Sequence, residues 1–176
     1  MACIKLNKAI TFGCAGGSVG LAGLYLVNKA DLASFVTGSD VVVVNSIALV
    51  SGGKAIPVDC YKNGAKITDA LRSLDGAAGM EQTVTITVYD KSADGMAILE
   101  SLLSGNFVAF AKLKDGGSIK VAGLYAGLEA ASMDGDTSAA GGFVTVTLKT
   151  PDNSRGDRNM VALPAVWTYL EANKLT

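Results

Sequence analysis

Three thiols, Cys3, Cys14 and Cys60, are the softest ligands and strongest nucleophiles of this 176-residue chain, which has no histidine to activate them. A serine or cysteine nucleophile needs a neighbouring base to take its proton, most often an imidazole. Lysine- and carboxylate-based versions stay chemically open, yet no spacing in the chain specifies one. Structural zinc wants thiolate and imidazole ligands in closely spaced pairs. Here the cysteines stand far apart with no CxxC among them. An odd, scattered set is no disulfide framework either. Small, half-buried thiols in a reducing cytoplasm are the expectation.

Other stretches resemble chemical motifs and fail on their spacing. Gly13–Gly20 (GCAGGSVG) lacks both the Gly-Lys-Ser/Thr ending of a phosphate-binding loop and the GxGxxG spacing, so it reads as a hinge. Asp134-Gly135-Asp136-Thr137 looks like half of a calcium loop, but Thr145 lies where the closing glutamate would be needed. It reads as a hairpin loop. Arg155-Gly156-Asp157 reads as a surface turn. A carboxylate pair for glycoside hydrolysis wants aromatic walls around it. Aromatic residues are 6% of the chain, and Trp167 sits in a presumed tail helix. The expectation is therefore no catalytic residue, no cofactor, no metal ligand and no enzyme.

The elements that would position any site are mostly strands. Thr83–Tyr89 alternates cleanly, with Val84, Ile86 and Val88 toward a core and Thr83, Thr85, Thr87 and Tyr89 away from it. Leu21–Asn28, Phe107–Leu113, Ser118–Val121, Leu124–Ala131 and Phe143–Thr150 read as further strands. Asp40–Val50 and Ala55–Tyr61, joined by Ser51–Lys54, read as a hairpin. Lys29–Phe35 is a helical turn or loop. Ile67–Leu74 is ambiguous, because Ile67, Ala70, Leu71 and Leu74 fall at helical spacing. Ser92–Leu103 is the clearest helix: Ser92 as N-cap, Asp94 in the first turn, a stripe of Met96, Leu99, Leu102 and Leu103, and a stop at Gly105. Pro164–Lys174 predicts a short C-terminal helix with Val166, Trp167 and Leu170 as its apolar contacts.

Turn signals every ~8–12 residues suggest a sandwich or barrel. The predicted fold is mainly β: an antiparallel β-sandwich or barrel with one flanking α-helix and a short C-terminal helix. It forms one domain over 1–176, with an N-terminal arm about 1–20 and a C-terminal extension about 151–176. Charged residues are 18% of the chain, below the ~25% usual in soluble domains. Surface left uncharged suits contact with other copies. A net charge of −1 does not support nucleic-acid binding, which needs a basic excess. Lys5 and Lys8 ahead of Ala9–Phe12 loosely suggest a lipoprotein signal ending at Cys14, but that apolar run is too short. Val41–Val50 is too short to span a bilayer. A soluble chain made without export, with no membrane partner, is the expectation.

The opening, MACIKLNKAITFGC followed by GGSVGLAGLYLVNKADL, resembles virion structural proteins of phages that infect Bacteroidetes. The second half resembles phage tail-tube (major tail) proteins. The run Phe107–Leu113, then Ile119–Val121 and Gly123, is followed by Gly127-Leu128-Glu129, a loop with Gly135, Ala139–Gly142 and the closing strand Val144–Leu148. Ser92–Leu103 stands where that family places its flanking helix. Ala162–Thr176 lies outside the resemblance. The resemblance implies a subunit that closes into rings, of about six copies, stacked into a tube for DNA ejection. DNA would pass without sequence-specific binding. Its partners would be other copies and other virion proteins, and its location the phage tail, after synthesis in the host cytoplasm. Met1–Gly20, the Asp40–Tyr61 hairpin, the Met133–Gly142 loop and the C-terminal tail are the candidate assembly elements. A head–tail connector, ring or decoration protein, and a small ligand-binding β-sandwich module, are the alternative readings.

Overall fold

The computed structural model describes residues 20–60, 64–74, 77–115, 117–135, 143–152, 154 and 158–176. Among these residues, eleven strands and two α-helices follow in chain order: β1 (Leu21–Asn28), β2 (Leu32–Thr37), β3 (Val43–Leu49), β4 (Ala55–Val58), β5 (Ala65–Leu74), β6 (Ala77–Val88), α1 (Ala93–Ser104), β7 (Asn106–Leu113), β8 (Ile119–Ala122), β9 (Leu128–Gly135), β10 (Val144–Lys149), β11 (Met160–Ala162) and α2 (Pro164–Ala172). The mainly β fold with a flanking helix and a short C-terminal helix matches the expectation.

β1 and β7 form the spine. They pair antiparallel from Leu21↔Leu113 to Asn28↔Phe107. Two wings spread from β7, one running β9–β10–β6–β5 and the other β8–β11–β3–β2, while β4 lies on the far side of β1. Both faces of the spine are covered. Leu24, Leu26, Phe107, Ala109 and Ala111 pack against the first wing and α1, with Val84, Ile86, Val146, Leu148, Leu99 and Leu102. Tyr25, Val27, Val108 and Phe110 pack against the second wing and α2, with Val44, Ile47, Met160, Val166, Trp167 and Leu170. The chain changes wings between β8 and β9 at a tight turn. Gly123 (φ +73°) and Gly127 (φ +79°) bracket it, and a Cβ at Gly127 would collide with the Asn106 amide.

Helix α1 begins where predicted. Ser92 Oγ accepts from Gly95 N–H at 3.3 Å, and Asp90 holds Ser92 through its N–H (2.9 Å) and its hydroxyl (2.8 Å). Ser92→Ala is expected to cost about 1 kcal/mol, read by chemical denaturation. Of the predicted stripe, Leu99 and Leu102 are buried while Met96 and Leu103 are exposed. Gly105 does end the helix, but its φ is −88°. Its smallness matters instead, because a Cβ there would collide with the Phe107 ring.

Several expectations are corrected. Asp40–Val50 and Ala55–Tyr61 do not pair with each other: β3 pairs with β2 and β11, and β4 with β1. Leu49 N–H donates to the Tyr169 hydroxyl (3.1 Å) and Val50 N–H to the Asp31 carbonyl (2.9 Å), so donors at the end of β3 are already used. Lys29–Asp31 is a 3-10 turn, and β2 starts at Leu32. Ile67–Leu74 is strand, held by ten residues of unbroken pairing between β5 and β6. Leu124–Ala126 belongs to the glycine turn, so β9 starts at Leu128 and continues through Met133–Gly135. Residues 1–19, nearly all of the predicted N-terminal arm, and 136–142 lie outside the described residues.

Candidate assembly surface

The first wing is a sheet of four strands, β9–β10–β6–β5. Its inner rows, Ala65–Ile86–Val146–Met133 and Ile67–Val84–Leu148–Ala130, are apolar. Its outer rows are Lys66–Thr85–Thr147–Ser132 and Thr68–Thr83–Lys149–Glu129, with Thr87–Thr145–Asp134 beside them. Period-2 alternation in β6 and β10 produces this division. The outer face is thus a field of hydroxyls in which Lys66 and Lys149 are balanced by Glu129 and Asp134.

Both lateral edges of this wing are open among the described residues. β5 has β6 as its one partner along all ten residues, contains no proline and shows no bulge. On the opposite side, β9 pairs with β7 at Leu128 and Glu129, and beyond them its outer side has no strand beside it. Ala131–Gly135 is exposed on both faces. Apolar side chains stand out at both edges, with Leu71 of β5 76% exposed and Met133 of β9 51% exposed.

The remaining edges are blunted. In β4, Ala55 turns outward: its N–H donates to the Asn173 carbonyl and its carbonyl accepts from Leu175 N–H. The next outward position is Pro57, which has no N–H to offer. β2 is short, and its pairing with β3 shifts register twice, which twists an edge away from straight pairing.

The β5–β6 ribbon runs past the end of β10, whose last pair is Lys149↔Thr83. A two-stranded ribbon is marginal alone, and this one is tied down. The Arg72 guanidinium donates to Glu81 (2.7 Å) and to the carbonyls of Pro151 (2.9 Å) and Asp152 (3.1 Å). Lys149 joins Glu81 (3.3 Å) and Asp152 (3.0 Å). The Arg72 hydrogen bond holds the Glu81 carboxyl below its ordinary value. A folded-state pKa below the unfolded one adds stability above the unfolded pKa and loses it as pH falls. Glu81→Gln is therefore expected to lower the thermal midpoint at neutral pH. The gap to wild type should close as pH drops below about 4.3, read by thermal melts across pH.

Inside the ribbon's base lies a polar cluster. Gln82, fully buried, accepts from Gly123 N–H at 3.0 Å and donates to the Val121 carbonyl at 3.4 Å. Asp69 of β5 pairs with Lys120 of β8, and burial pushes the Lys120 ammonium below its ordinary value. These contacts tie the first wing to β8, the inner strand of the second, and to the turn that follows it.

The sequence-based assembly candidates fare unevenly. The Asp40–Tyr61 hairpin does not form. Of the Met133–Gly142 loop, Met133–Gly135 belongs to the open β9 edge. Within the C-terminal segment, α2 buries Val166, Trp167 and Leu170 in the core. The arm lies outside the described residues, Gly20 apart. Sequence reasoning missed β5 itself. Among the described residues no group of three or more cysteines, histidines or carboxylates could hold a metal, and no helix is long and apolar enough to cross a membrane. No protein-family model, no curated protein and no solved structure matches this chain.

Proposed function

We propose that this chain is a self-assembling virion subunit whose copies close into rings and stack as a phage tail tube. The observation that carries this reading is the four-stranded wing with an open edge on each side. Pairing β5 of one copy with β9 of the next is a head-to-tail contact, the kind that closes rings. It also removes two edges that would otherwise invite uncontrolled pairing.

The magnitudes agree with a conduit. Six copies, the number the resemblance implies, supply about 24 strands. At about 4.8 Å between strands and a tilt near 40°, such a barrel has a backbone circle roughly 48 Å across. Side chains leave room within it for a DNA duplex. The threonine face would line the bore, since the opposite face packs on the spine. Hydroxyls with balanced charge offer DNA no counterion-releasing grip, so it passes without being held. The work is mechanical, with no turnover, no cofactor and no metal.

Sedimentation and electron microscopy of the purified protein test the reading. The expected species are rings whose mass is a multiple of the 17.9 kDa chain, growing into tubes with concentration. A monomer at every concentration would overturn it. One ring per particle, in place of many, would make the protein a connector.

A further inference from the structure

Asp69 is the odd member of an apolar row. β5 turns Ala65, Ile67 and Asp69 to the inner face of the first wing, and Ala65 and Ile67 pack into its core. Lys120 of β8 stands opposite Ala111 of β7, which belongs to the same core. The two strands do not pair with each other, yet these charged side chains meet with 11% of Asp69 and 19% of Lys120 exposed. A buried ion pair forfeits its hydration, so an apolar pair of similar size would join the wings about as well. We propose that Lys120 and Asp69 condense into an amide bond that ties the two wings together covalently.

The site supplies what such a condensation needs. In water at neutral pH an amine and an acid do not condense, because both are ionised and the ammonium nitrogen has no free lone pair. Burial works against both charges, and it pushes the Lys120 ammonium below its ordinary value. Within the pair, one proton passes from Nζ to Oδ2 and leaves an amine beside a carboxylic acid. Nζ attacks Cγ, and negative charge gathers on Oδ1. Fully buried Gln82 donates from Nε2 to Oδ1 at 3.5 Å. Such a bond is long in the resting site and tightens as charge develops. The Cγ–Oδ2 bond then breaks, and the departing hydroxyl takes a proton from Nζ and leaves as water. One C–N bond forms, one C–O bond breaks, and nothing is oxidised or reduced.

Position replaces an external activator. β8 is held between β7 and β11, and β5 by its ten pairs to β6. Groups fixed against each other in this way react as if present at about 10⁵ M or more. The product joins positions 51 residues apart, and a cross-link of that span restricts the unfolded chain. The bond forms within one subunit, so it needs no neighbouring copy.

Mass spectrometry of the denatured full-length protein tests this. The wild type is expected to be lighter than its sequence mass by one water, and Lys120→Arg and Asp69→Ala to lack that loss. Proteolysis should release one branched fragment that joins the chain around Asp69 to the chain around Lys120. Aspartates that precede glycine, such as Asp94 and Asp134, can lose water by cyclising on their own backbone, so the branched fragment decides. In freshly synthesised Gln82→Met, with circular dichroism as a check on folding, water should be lost at least about tenfold more slowly than in wild type. A wild type of full mass, or water lost with no branched fragment, would overturn the amide bond and leave an ordinary ion pair. Folded Gln82→Met condensing at the wild-type rate would overturn the part given to Gln82. None of these results bears on whether copies assemble.

Discussion

Phe110→Ala is expected to lower folding stability by about 4 kcal/mol, in the range seen when a buried phenylalanine is truncated. Phe110 is fully buried on β7, opposite Tyr25 of β1 and Val121 of β8. Its ring belongs to the cluster that also holds Trp167, Leu170 and Met160. Two paired neighbours fix the backbone, so the site cannot collapse around the void. A domain of this size holds ~5–15 kcal/mol in total, and the variant would sit near the edge of folding. Urea denaturation should show a lower midpoint with an unchanged slope. Val36→Thr, on the exposed surface of β2, should stay within about 0.5 kcal/mol of wild type.

The double substitution Leu71→Lys with Met133→Lys is expected to abolish ring formation while leaving the subunit folded. Both side chains are exposed on the two open edges of the four-stranded wing. Lysine on an edge strand is a common barrier to strand addition, and ring closure would bring like charges together at every joint. Neither change touches the core, so the monomer's stability should move by less than about 0.5 kcal/mol. Light scattering reads the assembly state and a melt reads the fold. Rings of normal mass from this variant would show that the β5 and β9 edges are not the joints.

Much of the fold can be read along the chain where local signals agree. Thr83–Tyr89 alternates over seven residues, and Val84 and Ile86 are buried as that pattern requires. Ser92 with Asp94 marks a helix start that the cap geometry bears out. Pro164 with Val166, Trp167 and Leu170 does the same for α2. β1 shows where local reading stops. Its alternation of Leu24 and Leu26 against Tyr25 and Val27 looks ordinary, yet all four are buried, because strands far away in sequence cover both faces.

The pairing of β3 and β4 misled for a related reason. A glycine turn between two apolar runs favours a hairpin locally. Here the decisive partners are Tyr169 and Asp31 for the end of β3, and β1 for β4. In β5, Ile67, Ala70, Leu71 and Leu74 imitate a helical stripe. An edge strand buries few side chains and carries a weak period, and its identity comes from β6. The open edges are the least legible feature, since an edge is defined by strands that fail to arrive.

Hydrogen exchange measured on the same protein in dilute and in assembled form probes the joints directly. The segments to follow are Ala65–Leu74 and Ala130–Gly135, with β7 as the internal reference. If copies meet through these edges, both segments should exchange at least about tenfold more slowly in the assembly, while β7 stays protected throughout. Equal exchange of both edge segments in the two forms would contradict strand pairing between copies, whatever rings are seen.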